Sequence, residues 1–197
     1  MYKVEKNLQK WGEFKDEDEF YIKQCNLSRY SPRTFLNVLF KPVDKSRYEA
    51  VERVLNCKLP KELMKFYEKY NGVMFFAQTF RIFGVRVEPL TSSYATLDFV
   101  TENIMLQKKF PNWDTNFVNF GYQGSRYRFC YHRNEMKKIY VIDRHTMEIV
   151  HKFEDLDELM EYYNEKLSKY YDDNGYLTTK SEEELKFPLG NIMEDCV

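Results

Sequence analysis

The stretch Leu59-Pro60-Lys61-Glu62-Leu63-Met64-Lys65-Phe66-Tyr67-Glu68-Lys69-Tyr70-Asn71-Gly72 limits what this chain can fold into more than any other. Pro60 suits the first helical position, where its missing N–H has no intrahelical partner to lose. Leu63, Phe66, Tyr67 and Tyr70 recur at i, i+3, i+4 and i+7 and line one helix face. Glu62 in the first turn and Lys69 in the last match the helix dipole. Asn71 and Gly72 end the helix, because both tolerate the left-handed conformation of a C-terminal cap. Residues 73–76 leave it as an apolar, strand-like run. Nothing in the stretch carries reactive chemistry.

At 197 residues the chain reads as one domain with an elaboration, long enough to bury about 70% of its unfolded surface. Tyr and Phe number 16 each, so the core must be rich in rings. The 30 basic and 31 acidic residues nearly cancel, so overall charge points to neither a nucleic acid nor a membrane. The balance conceals an asymmetry: residues 154–197 hold 13 acidic and 4 basic side chains, a net −9 against +8 for residues 1–153. Such a stretch is either an interaction surface or a solvated helix and tail. The cysteines Cys25, Cys57, Cys130 and Cys196 are scattered, with no C-x-x-C pair. The first residues lack the apolar core of a secretory signal, and no apolar run approaches 18 residues. These features predict a cytoplasmic protein with reduced thiols.

Residues 1–43 are aromatic and apolar enough to pack on the main domain. Within them, residues 34–40 read equally well as a buried strand or a short helix. Ser46-Arg47-Tyr48-Glu49 reads as a capping box opening a helix to about Asn56 that buries Tyr48, Val51, Val54 and Leu55. Residues 75–90 read as two short strands with Gly84 as a turn or bulge. Asp98 is placed to cap a helix through Lys109, with Phe99, Asn103, Leu106 and Phe110 along one side. Residues 117–120 form a strand, and Gly121-Tyr122-Gln123-Gly124 a turn. Residues 125–133 then alternate Tyr127, Phe129 and Tyr131 with Arg126, Arg128, Cys130 and His132. A hairpin follows across residues 143–146. Asp155 and Glu158 begin a helix that buries Leu156, Leu159, Met160, Tyr163 and Leu167, and a polar tail ends the chain. Helices and strands fall in runs, which predicts an α+β domain with a largely antiparallel twisted sheet packed against helices.

The search for chemistry returns little. His132, His145 and His151 form no H-x-x-x-H pair, and Cys130-x-His132 supplies two candidate metal ligands where a site needs more. There is no G-x-S-x-G, no phosphate-binding glycine loop, and only an arbitrary pairing of Cys130 with His151 for nucleophilic work. Acidic side chains such as Asp157, Glu158 and Glu161 sit at spacings that predict solvated charges. The alternation from Arg126 to Arg133 is superficially like an RNA-stacking strand, but it lacks the glycine–aromatic signature of the RNA-recognition motif. A half-buried strand with a solvated basic face accounts for the same pattern.

The capped helix before Asn56, then Leu59-Pro60 opening Leu63-Met64-x-Phe66-Tyr67-x-x-Tyr70-Asn71-Gly72, then strands, resembles the SMI1/KNR4 family, also called the SUKH superfamily. Phe117-x-x-Phe120-Gly121-Tyr122-x-Gly124, the hairpin of residues 139–150 and the helix of residues 156–167 resemble the family's later strands and ending. The resemblance covers about residues 44–168 and divides the chain into an N-terminal elaboration (1–43), a family-like domain (44–171) and an acidic tail (172–197).

The resemblance implies a non-enzymatic, cofactor-free protein-binding domain. Many bacterial members look like immunity proteins, cytosolic antidotes that block a cognate toxin, often a nuclease; eukaryotic and viral relatives of similar fold look like regulatory scaffolds. A nuclease toxin tends to be basic around its active site, so an acidic antidote surface would attract it. That surface is expected at Asp157, Glu158, Glu161, Asp172, Asp173, Glu182, Glu183 and Glu184. The expected partner is a cognate protein toxin or another protein, without direct nucleic-acid or membrane contact. A scaffold module without a toxin partner is the rival reading. An enzyme would need a polar pocket with convergent titratable side chains, with His132 and His151 as the candidates to gather it.

Overall fold

Local preferences resolve into five helices and nine strands among the residues that the computed structural model describes: 3–12, 14–16, 20–23, 36–76, 78–86, 98–175 and 178. Helix α1 (Lys3–Leu8) and a 3-10 turn (Gln9–Trp11) come first, then strands β1 (Phe14–Asp16), β2 (Phe20–Lys23) and β3 (Asn37–Phe40). Two helices follow, α2 (Lys45–Leu55) and α3 (Lys61–Tyr67), then β4 (Val73–Phe75) and β5 (Phe80–Ile82). Helix α4 (Phe99–Lys109) leads into β6 (Phe117–Gln123), β7 (Tyr127–His132), β8 (Glu135–Asp143) and β9 (Ile149–Phe153), and α5 (Leu156–Ser168) closes the series. The strands pair antiparallel in chain order from β1 to β9, so the sheet is one long meander. The fold is α+β, with helices inserted where the meander would otherwise turn.

One face of the sheet carries Leu39, Val73, Phe75, Phe80, Ile82, Phe129 and Val141, which pack under Tyr48, Phe66, Tyr67, Leu159 and Tyr163 of α2, α3 and α5. Many of the rings meet tilted, as between Phe80 and Tyr163 (5.4 Å) and between Phe129 and Tyr163 (5.1 Å). The opposite face is covered as well. Leu106 of α4 packs there with Trp113, Cys130, Tyr140 and Ile142. The solvated basic face expected for β7 is therefore absent: Arg128 keeps 9% of its exposure and Cys130 none. Alternation along one strand cannot reveal a helix contributed from elsewhere.

Residues 34–40 are settled in favour of a strand, since β3 pairs with β2 and β4; residues 34 and 35 lie outside the described residues. Several local expectations move by a residue or two. The cap of α2 is Asp44, whose carboxylate accepts from Ser46 N at 2.8 Å, rather than Ser46 itself. Val54, expected inside, is 61% exposed, because α2 turns only Tyr48 and Val51 fully inward. Pro60 is the cap of α3 with extended backbone (φ −54°, ψ 140°), one position before the helix, and α3 ends at Tyr67. Gly121, Tyr122 and Gln123 extend β6 instead of turning; the turn falls at Gly124 (φ 54°). At Gly121 the neighbouring strand comes so close that a Cβ would meet Arg81 O at 2.4 Å. The Asp98 cap, accepting from Thr101 N at 2.8 Å, and the Asp155 cap, accepting from Glu158 N at 2.7 Å, stand as expected.

The expected helix stop at Asn71–Gly72 is not where α3 ends, since the helix closes at Tyr67 with Glu68 as its cap, and Asn71 serves another purpose. Asn71 Oδ1 accepts from the Tyr48 hydroxyl (2.6 Å) and from Val85 N (2.7 Å), while Nδ2 donates to Val85 O (2.8 Å). Its backbone is held to β3 through Asn71 N donating to Phe40 O (2.8 Å), and Gly72 takes φ 89°. Gly84 presses against this residue: a Cβ there would lie 2.1 Å from Asn71 O. Gly84 is thus a point of close approach, neither turn nor bulge. Tyr48 stacks on Tyr67 at 4.1 Å, and the Tyr67 hydroxyl donates to Phe83 O (2.8 Å). Asn71→Ala strands a buried hydroxyl and a buried amide, so it should cost about 3 kcal/mol, read as a lowered urea midpoint with unchanged slope. Val54→Ala should change stability by less than about 0.5 kcal/mol in the same assay. Equal losses for the two variants would contradict the role given to Asn71.

Candidate protein-interaction surface

Helix α5 has a clean division of labour. Leu156, Leu159, Met160, Tyr163 and Leu167 face the core, as their spacing predicts, and Asp157, Glu158 and Glu165 face outward. The helix is 13 residues long, about 20 Å. Its length separates the predicted acidic surface into two ends. Asp157 and Glu158 lie in the first turn, Glu161 lies half-buried one turn further on, and exposed Asp172 and Asp173 follow the helix. Glu182, Glu183 and Glu184 lie outside the described residues.

The individual acids differ in what holds them. Glu158 accepts from Glu154 N at 2.7 Å and reciprocates the Asp155 cap, so it is committed to the helix start. Glu161 pairs with Lys3 of α1. Asp172 Oδ1 accepts from Asn174 N (2.9 Å), and its backbone oxygen accepts from Trp11 Nε1 (2.8 Å). Asp157 is the acid at the helix start with its carboxylate turned outward. Partial burial raises its pKa first, the Asp155 charge adds to this, and Lys65 and Lys69 of the α3 region oppose it.

Glu62 joins this acidic end although it is 94 positions from its partner. Its carboxylate accepts from Leu156 N at 2.6 Å, and burial followed by the Asp155 and Asp157 charges raises its pKa. The sequence places Glu62 only as a first-turn acid of α3. Lys3 also escapes a reading by motif, since the pairing of α1 with α5 is long-range. Beside α3, an open groove of about 1050 Å³ runs between α2 and α3, lined by Lys45, Arg53, Lys58 and Lys61 together with Glu49 and Glu52. It is mixed in charge and wide, a surface rather than an enclosed pocket.

The other sequence candidates are dispersed by the sheet. Strand register places Phe129, Val141 and His151 in one row and Cys130, Tyr140 and Lys152 in the next, so Cys130 and His151 sit on opposite faces. His132 packs on Phe117 and Tyr140, and His151 on Phe153 and Tyr162, so no pocket gathers the two histidines. Burial pushes the Cys130 thiol well up, away from thiolate character. Among the described residues no three His, Cys, Asp or Glu side chains are grouped to hold a metal ion, and no helix is long and apolar enough to cross a membrane.

A nine-stranded antiparallel meander packed against helices defines the domain as one of the α+β class. The chain belongs to the SMI1/KNR4 family (SUKH-1), whose family model matches residues 42–178. A comparison with curated proteins gives no match.

The acidic end of α5 has a pH signature. Because the folded Glu62 binds its proton more tightly than the unfolded chain, near 4.5, folding is favoured most below that value and loses stability as pH rises through the raised folded value. Glu62→Gln keeps an acceptor for Leu156 N and removes the charge. Its melting temperature should gain on the parent as pH goes from 4 to 7; a constant difference would refute the crowding of acids at this point.

Proposed function

We propose that the protein is a non-enzymatic immunity protein of the cytoplasm that binds a cognate protein toxin, of the nuclease class, and blocks it by steric occlusion and charge complementarity. The observation that carries this reading is the outward face of α5, where Asp157 and its acidic neighbours are presented on a helix whose apolar side is wholly used by the core. Family membership supports it, since the resemblance implies antidote function for many bacterial members. Asp157, Glu158 and Glu161 form one contact region, and Asp172 and Asp173 a second; Glu182, Glu183 and Glu184 extend the acidic segment in sequence. Attraction between an acidic antidote and a basic phosphate-binding site speeds encounter more than it adds affinity.

A toxin gene in the neighbouring reading frame would support the antidote and its absence the scaffold; co-expression with such a toxin should restore growth of the host cell. The purified pair should associate about tenfold more slowly when Asp157, Glu161 and Asp173 are all replaced by lysine, and the difference should shrink above about 0.5 M salt. Unchanged association would remove the electrostatic part of the reading. A stable complex without rescue of growth would favour a scaffold module.

A further inference from the structure

The sheet face beneath α4 holds an unusual concentration of positive charge. Strand register aligns Val38, Met74, Arg81, Tyr122, Arg128 and Ile142 in one row across β3 to β8. Tyr122 is therefore flanked on both sides by arginine, with the Arg81 and Arg128 guanidinium carbons 5.9 and 5.2 Å from its ring centre. Arg144, from the β8–β9 turn, bears on Arg128 as a like charge, and its guanidinium lies 5.9 Å from the Phe110 ring. Arg81 and Arg128 retain only 8% and 9% of their exposure. Among the described residues the carboxylate whose charge reaches both is Glu102 of α4.

These groups do not satisfy one another. Arg81 donates to Gln78 Oε1, and Arg128 Nη1 to Tyr127 O (3.1 Å), but Arg81 Nε and Arg144 Nε are buried with no hydrogen-bond partner. Glu102 bonds to none of the three. The nearby Arg126 is already neutralised by Asp143 at 2.5 Å. Among the described residues, three guanidiniums against one carboxylate leave two positive charges in excess on a largely buried face. Burying an unmatched charge is unfavourable unless a counter-charge with acceptor atoms joins it. The lowering of the Arg128 pKa to about 10, chiefly by burial and then by Arg144, reports the same imbalance.

We infer that Arg81, Arg128 and Arg144 form a binding site for a phosphate group. Guanidinium donors suit the oxygens of phosphate or carboxylate, and the two-charge excess selects a dianion over a carboxylate. Tyr122 keeps the Arg81 and Arg128 side chains spread, while the Glu102 charge at the margin opposes anion binding. The ligand is a small phosphate, free or carried on a phosphorylated metabolite. The site is separate from the acidic helix and independent of the toxin reading.

The test uses the full chain and inorganic phosphate at pH 7.5, with ionic strength held constant by chloride. Phosphate should raise the melting temperature in proportion to the logarithm of its concentration above the dissociation constant, by roughly 5 °C at a hundredfold excess. Arg144→Gln, at a half-exposed position that tolerates change, should weaken phosphate binding measured by calorimetry about tenfold. Glu102→Gln should tighten it about threefold, a gain that a purely structural role for the cluster would not produce. No stabilisation beyond matched chloride, or identical affinity in both variants, would overturn the site. Acetate acting as well as phosphate would overturn the assignment to a dianion. A phosphorylated metabolite binding more tightly than phosphate would support the site and identify the metabolite as the source. An oligonucleotide that binds where phosphate does not would overturn the small-ligand assignment.

Discussion

The amide of Asn71 is the contact on which the architecture turns. Its oxygen and nitrogen reach the Tyr48 hydroxyl and both backbone groups of Val85, so one side chain ties α2 to the segment leaving β5. All of these groups are buried, so each bond matters more for what would be left unpaired than for its own strength. Gly84 permits the approach, because any side chain at that position would collide with Asn71. The stacked Tyr48 and Tyr67 rings, and the Tyr67 bond to Phe83 O, extend the same tie to α3 and the start of the next loop. A helix pair inserted between two adjacent antiparallel strands needs such a clamp, since the β3–β4 pairing alone spans very few residues.

Covering both faces of the sheet gives the protein its other distinctive property. Antiparallel sheets commonly leave one face to solvent, where charged residues are harmless. Here α4 with Leu106, and Trp113 after it, closes the second face, and arginines that an open sheet would have exposed become largely buried. The same covering makes Cys130 an inert core residue and sends the histidines to separate environments. The acidic helix and the arginine row are opposite in sign and lie on different elements, so the molecule presents two electrostatic characters.

Within α5, the amphipathic spacing and the Asp155 cap could both be read residue by residue, because each depends on neighbours within four positions. The acidic surface was legible as composition but not as geometry. Asp157 and Asp172 are close in sequence, yet a rigid helix holds them at its two ends. Glu62 and Lys3, which shape that surface, come from far along the chain. In α2 the error was of the opposite kind: Ser46 and Asp44 are both good caps, and only the backbone decided which carboxylate or hydroxyl met the free amide. Val54 followed the apolar pattern and still faces outward, because the partner helix covers a narrower stripe than the pattern offered.

What the sequence by itself determined is the helices α2 to α5, though not α1, together with the strand-rich second half, the family resemblance and the absence of any recognisable catalytic motif. These rest on short-range periodicity and N-terminal caps, which are physical consequences of the local chain. Tertiary structure alone decided that all nine strands join in one meander, that α4 lies over the second face, and that Asn71 is a clamp placed beyond the end of α3. It also decided that three arginines distant in sequence share one row. Each of those outcomes depends on long-range register and on which surface a helix happens to cover, and neither is written in the spacing of neighbouring residues.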